Sequence, residues 1–240
     1  MGVSRETPAA LAARYGLPGS TVGQLDRLLD ALEAEPDPPT TERSREAATR
    51  AHVADALSGL EIEDLAQADR IADLGAGAGF PGLVLAVALP AAILDLVESA
   101  RRKAVVIERL ARAAEIDNAR AIVARAEEWG RAPAAAGGGA GHYGAVTARA
   151  LAPLAVLVEY AAPLLTIGGV LVAYKGARDG GEERSGDEAA RAVGMEPLEV
   201  RAVKPFGGAR NRHLHVLRKV SDTPPAIPRR PGMAVKRPLA

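Results

Sequence analysis

The stretch Asp73-Leu74-Gly75-Ala76-Gly77-Ala78-Gly79-Phe80-Pro81-Gly82 limits what this chain can fold into more than any other ten residues. Ile71, Ala72 and Leu74 lead in as a short apolar strand, and Leu83 to Leu89 lead out as an apolar helix. Pro81 suits a first helical turn, where its missing N–H has no partner to lose. The glycines between them permit positive φ and let a ligand approach bare backbone. A strand, a glycine turn and a helix in this order make a nucleotide-type binding turn.

Two registers fit the same ten residues. Gly77-x-Gly79-x-x-Gly82 matches the dinucleotide pattern of an NAD-binding Rossmann protein, with the helix N-terminus facing a pyrophosphate. In a chain with 25 glycines that match is unspecific. Asp73-x-Gly75-x-Gly77-x-Gly79 resembles motif I of class I S-adenosylmethionine (AdoMet) methyltransferases. A carboxylate at the strand end favours a cofactor carrying an amino group and a sulfonium, and opposes a phosphate. A structural turn with no ligand would explain the glycines but leave Asp73 without a role.

The rest of the chain supplies an alternating pattern. Strands are expected at 70–74, 92–97, 119–124, 143–148 and 169–174, with helices at 81–89, 100–115 and 153–165. Two further strands, 197–203 and 212–220, form an antiparallel hairpin closing the sheet. Short apolar strands alternating with helices predict a Rossmann-like seven-stranded α/β sheet with helices on both faces. Before it, Val22, Leu25, Leu28, Leu29 and Leu32 mark one helix, and Ala48, His52, Val53, Ala56, Leu57 and Leu60 a second. The expected divisions are an N-terminal helical cap at 1–66, an AdoMet-dependent methyltransferase domain at 67–221 and a basic, Pro-rich tail at 222–240. Arg178 to Glu188 reads as a Gly-rich, acidic, solvent-facing loop, and the tail as extended on the surface.

Ligands on such sheets bind outside the carboxyl ends of the strands, so the residues there carry the chemistry. Glu98 ends the second strand, 23 residues after Gly75, near the spacing at which an acid meets a ribose hydroxyl. Ala126 and Glu127 follow the third strand, where class I methyltransferases commonly place an acid at the adenine amino group. Arg149 and Lys175 end the fourth and fifth strands. Cations there need an anion such as RNA phosphate, or a neighbouring carboxylate. His52 reads as a packing residue, and His213 with His215 offers too few ligands for a metal site.

Residues 201–240 hold ten Lys/Arg against one Asp/Glu, although the whole chain has no net charge. That asymmetry fits either an anionic partner or a solvated tail. The longest apolar run is broken by Pro90 and Asp95 and is too short for a bilayer. Met1 to Glu6 shows no apolar signal core, so a cytoplasmic protein is expected.

Missing residues narrow the methyl acceptor. Without cysteine, attack on pyrimidine C5 lacks its usual nucleophile. Arg149-Ala150-Leu151-Ala152 lacks the acid or Asn with Pro-Pro-aromatic of base-amino methyltransferases, and the Asp of Lys-Asp-Lys-Glu ribose enzymes. Guanine N7 has an available lone pair and needs placement without a general base, which this inventory permits.

Five segments then occur in the order seen in the glucose-inhibited division protein B family: the Phe-Pro-Gly-extended glycine turn, Glu98-Ser99 with Arg102-Lys103, Arg125-Ala126-Glu127-Glu128, Ala148-Arg149-Ala150, and Tyr174-Lys175-Gly176. The similarity spans roughly residues 50–220. Its members are bacterial 16S ribosomal RNA guanine-N7 methyltransferases, and the resemblance implies that activity with AdoMet as cofactor. It implies cofactor contacts from Asp73, Gly75, Gly77, Gly79, Phe80, Ala126, Glu127 and Arg149, with Glu98 at the ribose. Arg149 and Lys175 are the candidate catalytic residues, no metal is expected, and the partner is 16S ribosomal RNA or a small-subunit particle. A monomer is expected. The chain departs from the family at Pro39 to Arg43, where members carry an Asn-Leu-Thr segment. Class I transfer to another acceptor, an NAD-binding protein and a silent RNA-binding protein are the competing readings.

Overall fold

The computed structural model describes residues 6–240; Met1 to Arg5, part of the stretch read as lacking a signal core, lie outside the described residues. Helices α1 (Pro8–Arg14), α2 (Gly19–Ala34) and α3 (Arg45–Ala48) come first. A π-helical turn, Thr49–Ala54, then widens the helix before α4 (Asp55–Leu57), a 3-10 turn (Ser58–Glu61) and α5 (Glu63–Ala66). The alternating part follows as β1 (Arg70–Leu74), α6 (Gly82–Ala88), β2 (Ile93–Glu98), α7 (Arg101–Ala113), β3 (Ala119–Val123) and α8 (Ala126–Arg131). It continues through β4 (Tyr143–Arg149), α9 (Leu154–Ala161), β5 (Leu165–Lys175), α10 (Gly180–Ala192), β6 (Met195–Ala202), β7 (His213–Lys219) and α11 (Met233–Lys236).

The seven strands order as β3-β2-β1-β4-β5-β7-β6. The first five are parallel, and β7 pairs antiparallel with both β5 and β6. Alternation along the strands divides the apolar residues between two cores. Ile71, Leu94, Leu96 and Val170 pack with α2, α4, α6 and α7, while Ala72, Leu74, Val97 and Leu171 pack with α9 and α10. The helices before β1 thus share the first core with the sheet. The strand order reverses between β1 and β4, whose ends pair as Leu74 with Ala148, and this switch point opens the crevice.

Two expectations fail. Arg178 to Glu188 is mostly helix α10 rather than a loop: Asp179 Oδ1 accepts the Gly181 and Glu182 N–H groups at 2.7 and 3.0 Å, capping it. Gly186, Ala189 and Ala190 then lie buried at helical spacing. A Cβ on Gly186 would sit 2.6 Å from Leu154, so the small residue that reads as a loop signal is the contact to α9. The tail does not lie extended either; it folds back over α8, α9 and α10, with Ala234 buried. Among the described residues no helix is long and apolar enough to cross a membrane.

Candidate active site

The glycine turn is braced from below. Gly75, Gly77 and Gly79 hold φ of +65, +59 and +93°, a region that costs residues with a Cβ. Beneath them Asp73 is buried, and its Oδ1 accepts the Thr147 hydroxyl at 2.9 Å while Oδ2 accepts the Gly82 N–H at 2.9 Å. A Cβ on Gly82 would stand 2.7 Å from Leu96 and 2.9 Å from that carboxylate oxygen. Burial pushes the Asp73 carboxyl up to about 6, against the pull of its two hydrogen bonds and Arg149. Asp73 therefore sits under the turn with both oxygens engaged. Gly82 N–H is committed to Asp73 and is not offered to a ligand.

Above the turn lies a cavity of about 300 Å³ whose lining includes Gly75, Glu98, Lys103, Ala126, Glu127 and Tyr160. Glu98, at the end of β2, reaches the glycine turn that follows β1: Oε2 accepts the Gly77 N–H at 3.1 Å and Oε1 the Ala100 N–H at 2.8 Å. Glu127 is 3 % exposed and accepts the Gly232 N–H at 2.8 Å. Burial and the neighbouring Glu127 push the Tyr160 hydroxyl up to about 12, keeping it a neutral donor. Two buried carboxylates, each held by backbone amides, suit hydroxyls and an amino group as hydrogen-bond donors, with Lys103 and Arg125 at the same wall. The donor set therefore fits the nucleoside of AdoMet. Of the expected cofactor contacts, Gly75, Glu98, Ala126 and Glu127 line this cavity; Asp73, Gly77, Gly79, Phe80 and Arg149 are not in its wall.

Arg149 and Lys175 belong instead to a second cavity, of about 450 Å³, with His52, Asp55, Glu182 and Arg212 in its wall. Arg149 turns toward the N-terminal helices. Its Nη1 donates to the Ala51 carbonyl at 2.7 Å and Asp55 Oδ2 at 3.1 Å, and its Nη2 lies 3.0 Å from His52 Nδ1. Burial, then the Arg149 charge, lowers His52 to about 4, so the imidazole is neutral and accepts at Nδ1. Its Nε2–H is then the donor toward Thr40 Oγ1 at 3.0 Å, a residue of the segment that departs from the family. The same ring stacks on Phe80 of the glycine turn, with centroids 4.4 Å apart and planes 9° off parallel. Lys175 Nζ lies 2.5 Å from Glu182 Oε1 and donates to the Ala152 carbonyl at 3.2 Å.

Ala150 lines both cavities and holds φ +53°. A residue with a Cβ in that region marks a backbone held there by its surroundings. Asp55, Glu182 and Ala150 escaped assignment from sequence, and His52, read as a packing residue, does pack on Phe80 but also meets Arg149. His52 and Asp55 share a helix face through i, i+3 spacing, but nothing local names a partner nearly one hundred residues away. His213 and His215 are occupied with the Gly176 carbonyl at 2.8 Å and Glu183 at 3.9 Å, and no metal-like cluster of His, Cys, Asp and Glu exists among the described residues.

The family model described as GidB, rRNA small subunit methyltransferase G, matches residues 40–214. A ribosomal RNA small subunit methyltransferase G from Pelotomaculum thermopropionicum is 40% identical over 199 residues, covering 81% of this chain and 80% of the relative. One of the same name from Rubrobacter xylanophilus is 38% identical over 200 residues, with 82% and 75% covered. Among solved structures, fibrillarin from Aeropyrum pernix with natively bound S-adenosyl-L-methionine shares the fold, at TM-score 0.51 and 20% identity over 68% of this chain and 72% of that one. With the family model spanning most of the sequence and relatives near 40% identity, the chain belongs to the rRNA small subunit methyltransferase G family.

Proposed function

We propose that this protein transfers a methyl group from AdoMet to N7 of a guanine in 16S ribosomal RNA, acting as a cytoplasmic monomer on the RNA or a small-subunit particle. The observation that carries the reading is the pair of cavities meeting at Ala150: one has buried Glu98 and Glu127 at the glycine turn, with Lys103 and Arg125 also in its wall, and the other has Arg149, Lys175 and Arg212 beside Asp55 and Glu182. When bound, AdoMet supplies an electrophilic methyl on a sulfonium.

Glu98 and Glu127 would hold the nucleoside, Gly75 would leave room for its approach, and buried Asp73 would favour the cofactor's positive charge. The purine N7 lone pair forms the new bond as the S–CH3 bond breaks with its electrons toward sulfur. The purine takes on the positive charge, so no side chain has to remove a proton before attack. The protein's task is to align acceptor and donor in line, through the shared wall at Ala150. Arg149 and Lys175 would orient the acceptor through its phosphates or base oxygens, with Asp55 and Glu182 holding their positions. Exposed Arg212, on the loop between β6 and β7, adds positive charge in the wall of this cavity, and the same loop carries exposed Lys204 and Arg210.

Incubation with labelled AdoMet and unmodified 16S ribosomal RNA or small-subunit particles, followed by mapping of the modified base, tests the proposal. N7-methylguanine at one position supports it. Label on another base changes the acceptor, and label on protein or small molecules alone contradicts it.

A further inference from the structure

Residues 222–240 lie beyond the matched span of the family, yet they reach its cofactor pocket. Two anchors lead them there. Glu159, in the middle of α9, is 0 % exposed, and Arg229 clamps it with Nε to Oε1 at 2.9 Å and Nη2 to Oε2 at 2.6 Å. The Arg229 backbone N–H adds a contact at 3.2 Å. A carboxylate at that depth requires a counter-charge, so this docking is built into the α9 sequence. Arg131, the last residue of α8, donates to the Pro228 carbonyl at 2.6 Å. With those contacts made, the turn before α11 carries the Gly232 N–H to 2.8 Å from Glu127 Oε1.

We propose that this C-terminal strap is a working part of the AdoMet pocket, in which the Gly232 N–H is the positioning group that fixes the Glu127 carboxylate for the cofactor's nucleoside. The proposal rests on the reading of the carboxylate-lined cavity as the AdoMet site. Glu127 opens α8 and has one wall of the cavity beside it; the strap supplies the donor on its other side. Loss of that donor leaves a buried carboxylate oxygen unsatisfied, and the side chain reorients to recover a partner.

The test is a double-mutant cycle in AdoMet affinity, read by calorimetry on the full chain, Glu127→Ala, a chain ending at Asp222, and the two changes combined. Each single change is expected to weaken AdoMet about tenfold, the cost of one charge-assisted hydrogen bond. The combination is expected to weaken it by about the same tenfold, since both act through one carboxylate. Ending the chain at Asp222 also leaves Glu159 unpaired, so a full-length chain with Arg229→Gln and Glu159→Gln provides a second route that releases the strap without stranding a charge. It should raise the KM for AdoMet while kcat at saturating AdoMet stays within about twofold. Independent, multiplying losses, or release of the strap with no change in AdoMet affinity, overturn the proposal. A shift in the KM for RNA alone also overturns it, because the strap is then an RNA contact. No effect of Glu127→Ala itself overturns the underlying reading of the pocket.

Discussion

The two cavities that meet at Ala150 are built in opposite ways. Around its glycine turn the cofactor side is local: Asp73 to Gly82 spans nine residues and Gly77 to Glu98 twenty-one, and Glu127 is tied across the chain, to Gly232 at a separation of 105. The acceptor side is long-range, since Arg149 finds Ala51, His52 and Asp55 at separations of 98, 97 and 94 residues. Binding a cofactor of fixed shape rewards a rigid turn that one short motif can encode. Gripping a folded RNA requires cations held at the mouth of a crevice, and those need carboxylates from elsewhere in the chain to keep them in place. One stacked pair, His52 on Phe80, joins the two constructions.

The largest effect is expected where the long-range side is cut. Arg149→Gln leaves Asp55, 10 % exposed at its side chain, without its nearest cation and should cost about 3 kcal/mol in denaturant unfolding. The same change should slow methylation of ribosomal RNA by about 100-fold, through loss of its charge-assisted contacts. Adding Asp55→Asn should restore most of the stability and little of the activity. Full recovery of both would mean that Arg149 only braces the fold.

On the cofactor side the sharpest probe is pH. Asp73 titrates near 6 when folded against an ordinary 3.8, so between those values the folded protein binds more protons than the unfolded one. Stability contributed by this group is greatest below the ordinary value, falls as pH rises through the window, and stays lost above it. Asp73→Asn removes the titration, so its stability relative to the parent should improve by about 1.4 kcal/mol per pH unit across that window. Parallel stability curves for the two proteins would show that no charge is being buried there. The smallest effect belongs to the junction. Ala150→Gly relieves a left-handed residue and should raise stability by about 1 kcal/mol, while loosening the shared wall and slowing transfer. A faster enzyme would mean that the wall restrains the reaction rather than aligning it.

The same contrast explains what was legible in the chain. The glycine turn, the strand ends at Glu98 and Arg149, and the antiparallel closure are written in short-range patterns, and the seven-stranded sheet follows them. Glu98 and Glu127 were readable as pocket acids because Glu98 ends β2 and Glu127 stands in the first turn of the helix after β3. Asp73 was readable as a necessary acid but not as a buried brace, since its partners Thr147 and Gly82 are defined by the folded sheet. Arg178 to Glu188 misled because glycine signals a turn unless a neighbouring helix requires close approach, as Leu154 does at Gly186. The tail misled for a related reason. Its prolines and arginines suggest solvent, and only the buried Glu159 on a distant helix reveals where Arg229 belongs.

On the proposed function, cofactor and acceptor are held by separate sets of side chains. AdoMet dissociation constants for Glu98→Ala and Arg149→Gln, measured beside the parent protein by calorimetry, test it most directly. Glu98→Ala should weaken AdoMet about tenfold or more, and Arg149→Gln should leave it within about threefold. Equal losses in both variants, or a larger loss from Arg149→Gln, would contradict the division between the two cavities.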